Sequence, residues 1–295
     1  MNTVAAGQHR RIAGRHLRAA CSRVRRWIQG DRLAAFCIFV IAASTLIAIA
    51  APLLAPHDPN LVNLSAVNQG PSAQHLLGTD ESGRDLLSRM IYGARTSLLG
   101  PLLVVILAAS AGTGLALLAA WRGGFVDGAV ASGIDILFGF PGLLLAVGAV
   151  AVFGLGLSAP VIALGIAYTP YIGRTVRAVA LRERRLPYVA ALQAAGCSGR
   201  RIVLGHLLPN LVPVIAAQAT IAFAYATIDL AAISFLGLGV QPPTSDWGLM
   251  IAQGETAVLA GSPWQAICPG LALVLVVVCV TLLGRRISAD AELLR

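Results

Sequence analysis

The sequence predicts an all-α, polytopic membrane protein with six transmembrane helices. Of its 295 residues, 57% are apolar and only 12% are charged, and its mean hydropathy is +0.78. Soluble domains carry about 25% charged residues, so a chain this apolar requires a bilayer. A helix needs roughly 20 apolar residues to span the hydrocarbon core, and six segments approach or exceed that length.

The six predicted spans are separated by polar loops. They cover residues 33–55, 97–120, 129–153, 157–175, 207–236 and 264–284. The fifth span has Pro209 and Pro213 near its start, which predicts a bend or a short preceding helix. Residues 56–96 and 237–263 are rich in Gly, Pro, Asp and Ser, as surface loops require.

The distribution of arginine predicts the orientation. Nineteen of the 22 arginines fall in residues 1–32, in the loops after the second and fourth spans, and after residue 284. Only Arg84, Arg89 and Arg95 lie on the other side. The positive-inside rule therefore places both termini, including the basic segment 1–32 and the tail 285–295, in the cytoplasm. We expect the basic residues to meet anionic lipid rather than nucleic acid.

The absence of lysine limits the chemistry of this chain. A phosphate-binding P-loop ends in a lysine, and every basic residue here is arginine. If nucleotide drives this protein, another chain must bind it. Cys21, Cys37, Cys197, Cys268 and Cys279 are dispersed without metal or redox spacing. His57 beside Asp58 is interpreted as a lone loop pair, so the sequence predicts neither a catalytic nor a metal site.

The inner loop 181–206 contains a short predicted helix. Pro187 is suited to the first turn of a helix, and Gly196 is suited to its end. Between them lie mostly small, apolar residues, and Arg200 and Arg201 follow. The helix is too short to span the membrane. Physical reasoning leaves two roles open, contact with another protein and rest on the lipid surface.

The outer side carries two further notable segments. Asp80, Glu81, Arg84 and Asp85 form a mixed-charge cluster. The plain alternative is that Arg84, Asp85, Arg89 and Arg95 belong to a solvated helix face. Around Gln241 and Pro242, glycines and paired prolines predict a rigid turn.

Three segments resemble one family of transporters. Gly196 and the Leu-Leu-Pro at 207–209 match the cytoplasmic loop of ABC importer permeases, although Ala190 replaces its usual glutamate. Residues 75–99, HLLGTDESGRDLLSRMIYGARTSLL, and 233–250, ISFLGLGVQPPTSDWGLM, are similar to segments of C-type peptide and nickel permeases. The chain thus resembles the C-type permease subunit of the dipeptide/oligopeptide/nickel family from about residue 23 onward.

This resemblance implies a type I ABC importer permease fold, with a core at 97–284, in a bacterial inner membrane. It implies an ATPase-coupling helix whose candidate residues are Tyr188, Val189, Ala190, Ala191, Ala194, Gly196, Arg200 and Arg201. It also implies a docking face or outer gate that includes Asp80, Arg84, Asp85, Gln241, Pro242 and Trp247. The implied partners are a B-type permease, two cytosolic ATPases that bind ATP and magnesium, and an extracytoplasmic substrate-binding protein.

Peptides are the expected cargo, with nickel or glutathione as alternatives. Asp135 and Asp229 lie at apparent membrane depth, where a carboxylate costs about 2.5–3.5 kcal/mol on insertion scales. Asp229 is a candidate to line the pathway and meet a substrate amine, and Asp135 either does so or lies at the inner interface. Both acids also keep open an ion-coupled secondary carrier, which would use them as relays.

Overall fold

The computed structural model describes residues 31–259 and 261–293, and their regular structure is helical. We number the helices α1 to α11. Their bounds are Arg32–Ile49, Ala51–Leu54, Leu86–Arg122, Gly124–Phe138, Gly142–Phe153, Ser158–Arg184, Pro187–Ala194, Gly199–Ile202, Leu208–Phe235, Trp247–Leu259 and Trp264–Leu293. A 3-10 turn, Leu64–Ala66, lies in the outer loop, and a π turn, Val203–Leu207, joins α8 to α9.

Within the described residues, four helical stretches are long and apolar enough to cross a membrane, so the predicted count of six is not fully met. They are Arg32–Ile49, Leu86–Arg122, Gly199–Phe235 and Trp264–Ala289. The predicted span 129–153 is broken into α4 and α5, which meet at 81° and count as a fifth span only if taken together. Pro141 stands at the break, where its ring and missing N–H oppose a continuous helix.

Helix α6 corresponds to the remaining predicted span, 157–175, and continues to Arg184. It is less apolar than the other long helices because its C-terminal part carries Arg174, Arg177, Arg182, Glu183 and Arg184. About half of its residues are buried. Its main neighbour is α3. A Cβ at Gly112 of α3 would lie only 2.8 Å from the carbonyl oxygen of Thr169 and 2.9 Å from the nitrogen of Gly173. Small residues permit such close crossings in membranes.

Two helices begin in regions predicted to be loops. Helix α3 starts at Leu86 because the Asp85 carboxylate accepts the Ser88 N–H at 2.8 Å. Helix α10 lies within the predicted loop 237–263, where the Asp246 carboxylate accepts the Leu249 N–H at 3.2 Å. Both aspartates act as N-caps, which satisfy backbone donors left free at a helix start.

The predicted irregularity before the fifth span is confirmed. Helix α8 and the π turn precede α9, and Pro209 lies in the first turn of α9. Proline has no backbone N–H to donate to the carbonyl one turn earlier. The π turn shifts the hydrogen-bond pattern before Pro209, so fewer backbone carbonyls are left unpaired.

Candidate functional site

Asp80 is the centre of a buried polar cluster at the outer end of α3. Its carboxylate accepts from Arg84 Nε at 2.7 Å and lies 3.3 Å from Arg89 Nε. It also accepts the backbone N–H groups of Ser82 and Arg84, each at 2.9 Å. Asp80 is 0% exposed and Arg89 is 1% exposed. A solvated helix face is therefore the wrong interpretation of Arg84, Asp85 and Arg89, whereas Arg95 is exposed.

This outer polar cluster, Asp80 with Arg84 and Arg89, joins the outer loop to three helices. Arg89 itself belongs to α3, and its Nη2 donates to Gln253 of α10 at 3.3 Å. The backbone N–H of Glu81 donates to Gln265 of α11 at 3.2 Å. The predicted docking residues Asp80, Arg84 and Asp85 are buried, so their side chains do not present a contact surface. They would affect docking only by fixing the position of the outer loop.

Asp85 brings together two histidines that sequence analysis did not connect. His75 Nδ1 lies 2.9 Å from one of its carboxylate oxygens, and His57 Nδ1 lies 3.7 Å from the other. Burial alone raises the pKa of Asp85, but hydrogen bonds from Ser88 and His75 outweigh it, and the net pKa is below its ordinary value. His57 is thus not the lone loop pair inferred from its neighbour Asp58. The three residues lie 10 to 28 positions apart in the sequence, so no short motif connects them.

Trp247 fixes α10 against α3. Its indole Nε1 donates to the carbonyl of Met90 at 3.0 Å, and its backbone N–H donates to Ser97 Oγ at 3.0 Å. Ser97 Oγ in turn donates to Asp246 at 3.0 Å. Burial raises the pKa of Asp246, although these hydrogen bonds act in the opposite direction. Trp247 is therefore a packing residue in this conformation.

Gln241 and Pro242 form the turn before α10. The Gln241 side-chain amide donates to the carbonyls of Gly237 at 2.9 Å and Gly239 at 3.1 Å. Pro242 is exposed. This arrangement confirms the compact turn predicted from the glycines and prolines, and it leaves Pro242 free to contact a partner.

The predicted helix in the inner loop is present as α7. It has Pro187 in its first turn, and Gly196 follows it with φ +76°, a left-handed conformation suited to glycine. Val189 is 1% exposed and packs into the main core. Ala190, Ala191 and Ala194 are exposed. The helix is thus anchored by one side and open on the other.

Polar contacts also hold α7 to its neighbours. The Tyr188 hydroxyl donates to Glu183 of α6 at 2.9 Å, and Asn210 of α9 donates to the same carboxylate oxygen at 2.7 Å. Burial, together with Glu183, raises the pKa of Tyr188 to about 12. Tyr188 therefore stays protonated and remains a donor at neutral pH.

The segment after α7 rests on the inner end of α3. A Cβ at Gly199 would lie 2.6 Å from the Trp121 ring, so only glycine fits there without movement. The Arg184 guanidinium carbon lies 5.7 Å from the Trp121 ring centroid, and its Nη1 donates to the carbonyl of Ala120 at 2.5 Å. Arg200 and Arg201 in α8 are exposed.

The two acids at membrane depth have different surroundings. Asp229 on α9 is half-buried and accepts from the Tyr168 hydroxyl of α6 at 2.9 Å. Tyr171 and Tyr225 are exposed, and the Tyr171 ring lies 5.6 Å from that of Tyr168. Asp135 is exposed on α4.

The sequence and the fold match known protein families and solved structures. Residues 112–291 match the family described as binding-protein-dependent transport system inner membrane component, and residues 24–71 match the N-terminal TM domain of oligopeptide transport permease C. A permease of the MetNI methionine ABC transporter, solved in inward-facing conformations, matches 70% of this chain and 97% of its own with a TM-score of 0.55 at 20% identity.

Curated relatives are similar over most of their length. The dipeptide transport system permease protein DppC of Alkalihalophilus pseudofirmus is 37% identical over 87% of this chain and 84% of its own. The di/tripeptide permease DppC of Pseudomonas aeruginosa is 40% identical over 80% of each chain. The glutathione permease GsiD of Escherichia coli is 37% identical over 89% and 85%.

The helical bundle and these matches define a permease subunit of a type I ABC importer, which is a protein of the inner membrane. The chain belongs to the binding-protein-dependent transport system inner membrane component family, in its C-type permease branch. The resemblance inferred from the inner and outer motifs is confirmed.

Replacement of Asp80 by Asn tests the outer polar cluster. The change leaves Arg84 and Arg89 buried without their counter-charge, and breaking a buried ion pair costs about 3–5 kcal/mol. We expect a marked fall in the thermal midpoint of the purified protein. Glu81→Gln removes the same charge from the adjacent, exposed position and should change stability by no more than about 0.5 kcal/mol. Equal midpoints for the two variants would contradict the assignment.

Proposed function

We propose that this chain lines half of the pathway of an ATP-driven peptide importer and that α7 couples it to a separate ATPase subunit. The observation that supports coupling is an exposed eight-residue helix anchored to the inner ends of three long helices. The peptide cargo rests on relatives named for dipeptide and di/tripeptide transport. A relative named for glutathione transport keeps that cargo as an alternative.

The exposed side of α7 favours a protein partner over lipid. A helix that rests on a membrane exposes large apolar residues to the acyl chains. In α7 Val189 is buried, and the exposed positions carry Pro187, Ala190, Ala191, Gln193 and Ala194. Small side chains let another surface approach closely, so this side suits the cleft of an ATPase. The missing glutamate at Ala190 means that close packing, rather than a salt bridge, would supply the contact there.

Motion of α7 would reach the pathway through rigid contacts. Val189 packs in the core formed largely by α3, α6 and α9. Tyr188 and Asn210 share Glu183, which ties α7 to α6 and α9. Arg184 and Gly199 pack against Trp121 at the end of α3. When ATP closes the partner ATPases, α7 acts as a lever on these helices. The chemistry of hydrolysis belongs to those partners, and this chain is non-catalytic.

Cysteine cross-linking at Ala191 tests the role of α7. In a chain whose native cysteines are replaced by serine, Ala191→Cys should capture an ATPase subunit in native membranes. The matched control is Ala73→Cys, an equally small and exposed residue placed in the outer loop, and it should capture none. If the cysteine at position 191 forms no cross-link to an ATPase subunit in an intact complex, and reacts only with reagents dissolved in the lipid, the coupling assignment fails.

Asp229 is proposed to line the pathway. It is half-buried, Tyr168 holds it in place, and the exposed tyrosines Tyr171 and Tyr225 lie on the same two helices. A carboxylate flanked by aromatic rings suits the ammonium group at the N-terminus of a peptide, since both ion pairing and cation–π attraction favour a cation there. Asp229 is thus the position at which this chain would contact a cationic substrate.

Replacement of Asp229 by Asn should reduce peptide uptake. A hydrogen bond to a charged group contributes about 1.5–3 kcal/mol, so we expect uptake to fall on the order of tenfold. The assay is initial uptake of a labelled dipeptide with a free amine by membrane vesicles supplied with ATP. Glu255→Gln, which removes a charge from an exposed position of α10, is the control and should transport normally. Uptake unaffected by the Asp229 change would remove it from the pathway.

A further inference from the structure

His57, His75 and Asp85 converge in the outer loop although they come from separate parts of the chain. His57 follows α2, His75 lies in the middle of the loop, and Asp85 caps α3. Their potential ligand atoms all lie within 4.8 Å of one another. We propose that these three side chains form a binding site for a divalent zinc ion on the outer face of the permease.

The distances fit the coordination of zinc. Ligand atoms about 2.0–2.2 Å from a tetrahedral ion are separated from one another by about 3.4 Å. His75 Nδ1 lies 2.9 Å from one Asp85 oxygen and His57 Nδ1 lies 3.7 Å from the other, and one ligand atom from each of the three residues lies within 4.8 Å of the other two. Rotation of the partly exposed His57 ring towards the Asp85 oxygen that faces His75 would bring the three ligand atoms to this spacing.

Asp85 is already oriented by contacts that a metal would not displace. One of its oxygens accepts the Ser88 N–H at 2.8 Å and the Ser88 hydroxyl at 2.7 Å. Ser88 Oγ also accepts the backbone N–H of His57 at 3.1 Å. The other oxygen faces only His75 among these groups. Contacts of this kind behind a metal ligand fix its orientation and raise metal affinity.

The site opens into a cavity, which gives an ion a route of entry. The cavity has a volume of about 490 Å³ and is lined in part by Asn63 and Gln74 as well as by the three ligands. The His57 side chain is 41% exposed, whereas that of Asp85 is 1% exposed. Three protein ligands with one side open leave a fourth position for water, as in exchangeable zinc sites.

The donor set favours zinc or a neighbouring transition-metal ion over calcium, magnesium and the cuprous ion. Two imidazoles and a carboxylate suit zinc and its neighbours in the transition series. Calcium and magnesium prefer sites made wholly of oxygen, and the soft cuprous ion prefers sulfur ligands. A bound ion would connect the segment after α2 to the N-terminal end of α3. It would therefore fix the outer loop next to the outer polar cluster.

Zinc binding to the purified full-length chain tests the proposal. Binding of zinc alone is measured by titration calorimetry in a background with His9→Gln and His16→Gln, which removes the N-terminal histidines. His57→Gln and His75→Gln should each weaken binding by a factor on the order of 100. His206→Gln, which changes a histidine near the opposite end of the bundle, should bind as the background does. Wild-type affinity in the His57→Gln, His75→Gln double variant would overturn the proposal.

A second measurement keeps the proposal testable if those variants fold poorly. An ion that binds only the folded chain raises its thermal midpoint as the ion concentration rises. The background protein should show this rise with zinc and lose it when a chelator is added. Asp85→Asn, which still caps α3 because asparagine is also an N-cap, should show a much smaller rise. A midpoint of the background protein that does not respond to excess zinc would also overturn the site.

Discussion

The close crossing of α3 and α6 is the contact on which the rest of this permease depends. Lipid tails are as apolar as leucine, so helices in a bilayer associate through close packing rather than through the exclusion of water. At Gly112 the backbones approach so closely that a single methyl group would meet Thr169 and Gly173. Helix α3 has 37 residues, and at 1.5 Å per residue it is about 55 Å long. One continuous helix thus extends from the outer polar cluster to Trp121.

This continuity relates the two ends of the molecule. At the outer end, Asp80 and Arg89 hold the loop before α3 against α10 and α11. At the inner end, Val189 and Tyr188 hold α7 against the same bundle. Under the proposed function, a partner that moves α7 would also bias the position of the outer loop, and a partner bound outside would bias α7 in return. Such coupling is reciprocal by thermodynamic necessity, and it suits an importer that must respond to a loaded binding protein and to ATP.

Local signals in the sequence predicted some elements well and missed others for physical reasons. Pro187 and Gly196 gave the bounds of α7 because both act on their own backbone. The break at Pro141 was missed because residues 129–153 are apolar apart from a few positions such as Asp135 and have the length of a single span. Helix α10 was missed because glycines and prolines before it gave its loop a turn-like composition. The burial of Arg89 and the meeting of His57 with His75 depend on tertiary contacts, which spacing along one chain does not reveal.

Reconstitution separates an ATP-driven importer from an ion-coupled carrier most directly. The measurement is uptake of a labelled dipeptide into proteoliposomes that hold either this chain alone or this chain with its partner permease, both ATPases and the substrate-binding protein. The account predicts uptake only by the full assembly, only with hydrolysable ATP, and independent of any imposed proton or sodium gradient. Uptake by this chain alone under an ion gradient, without ATP, would contradict it.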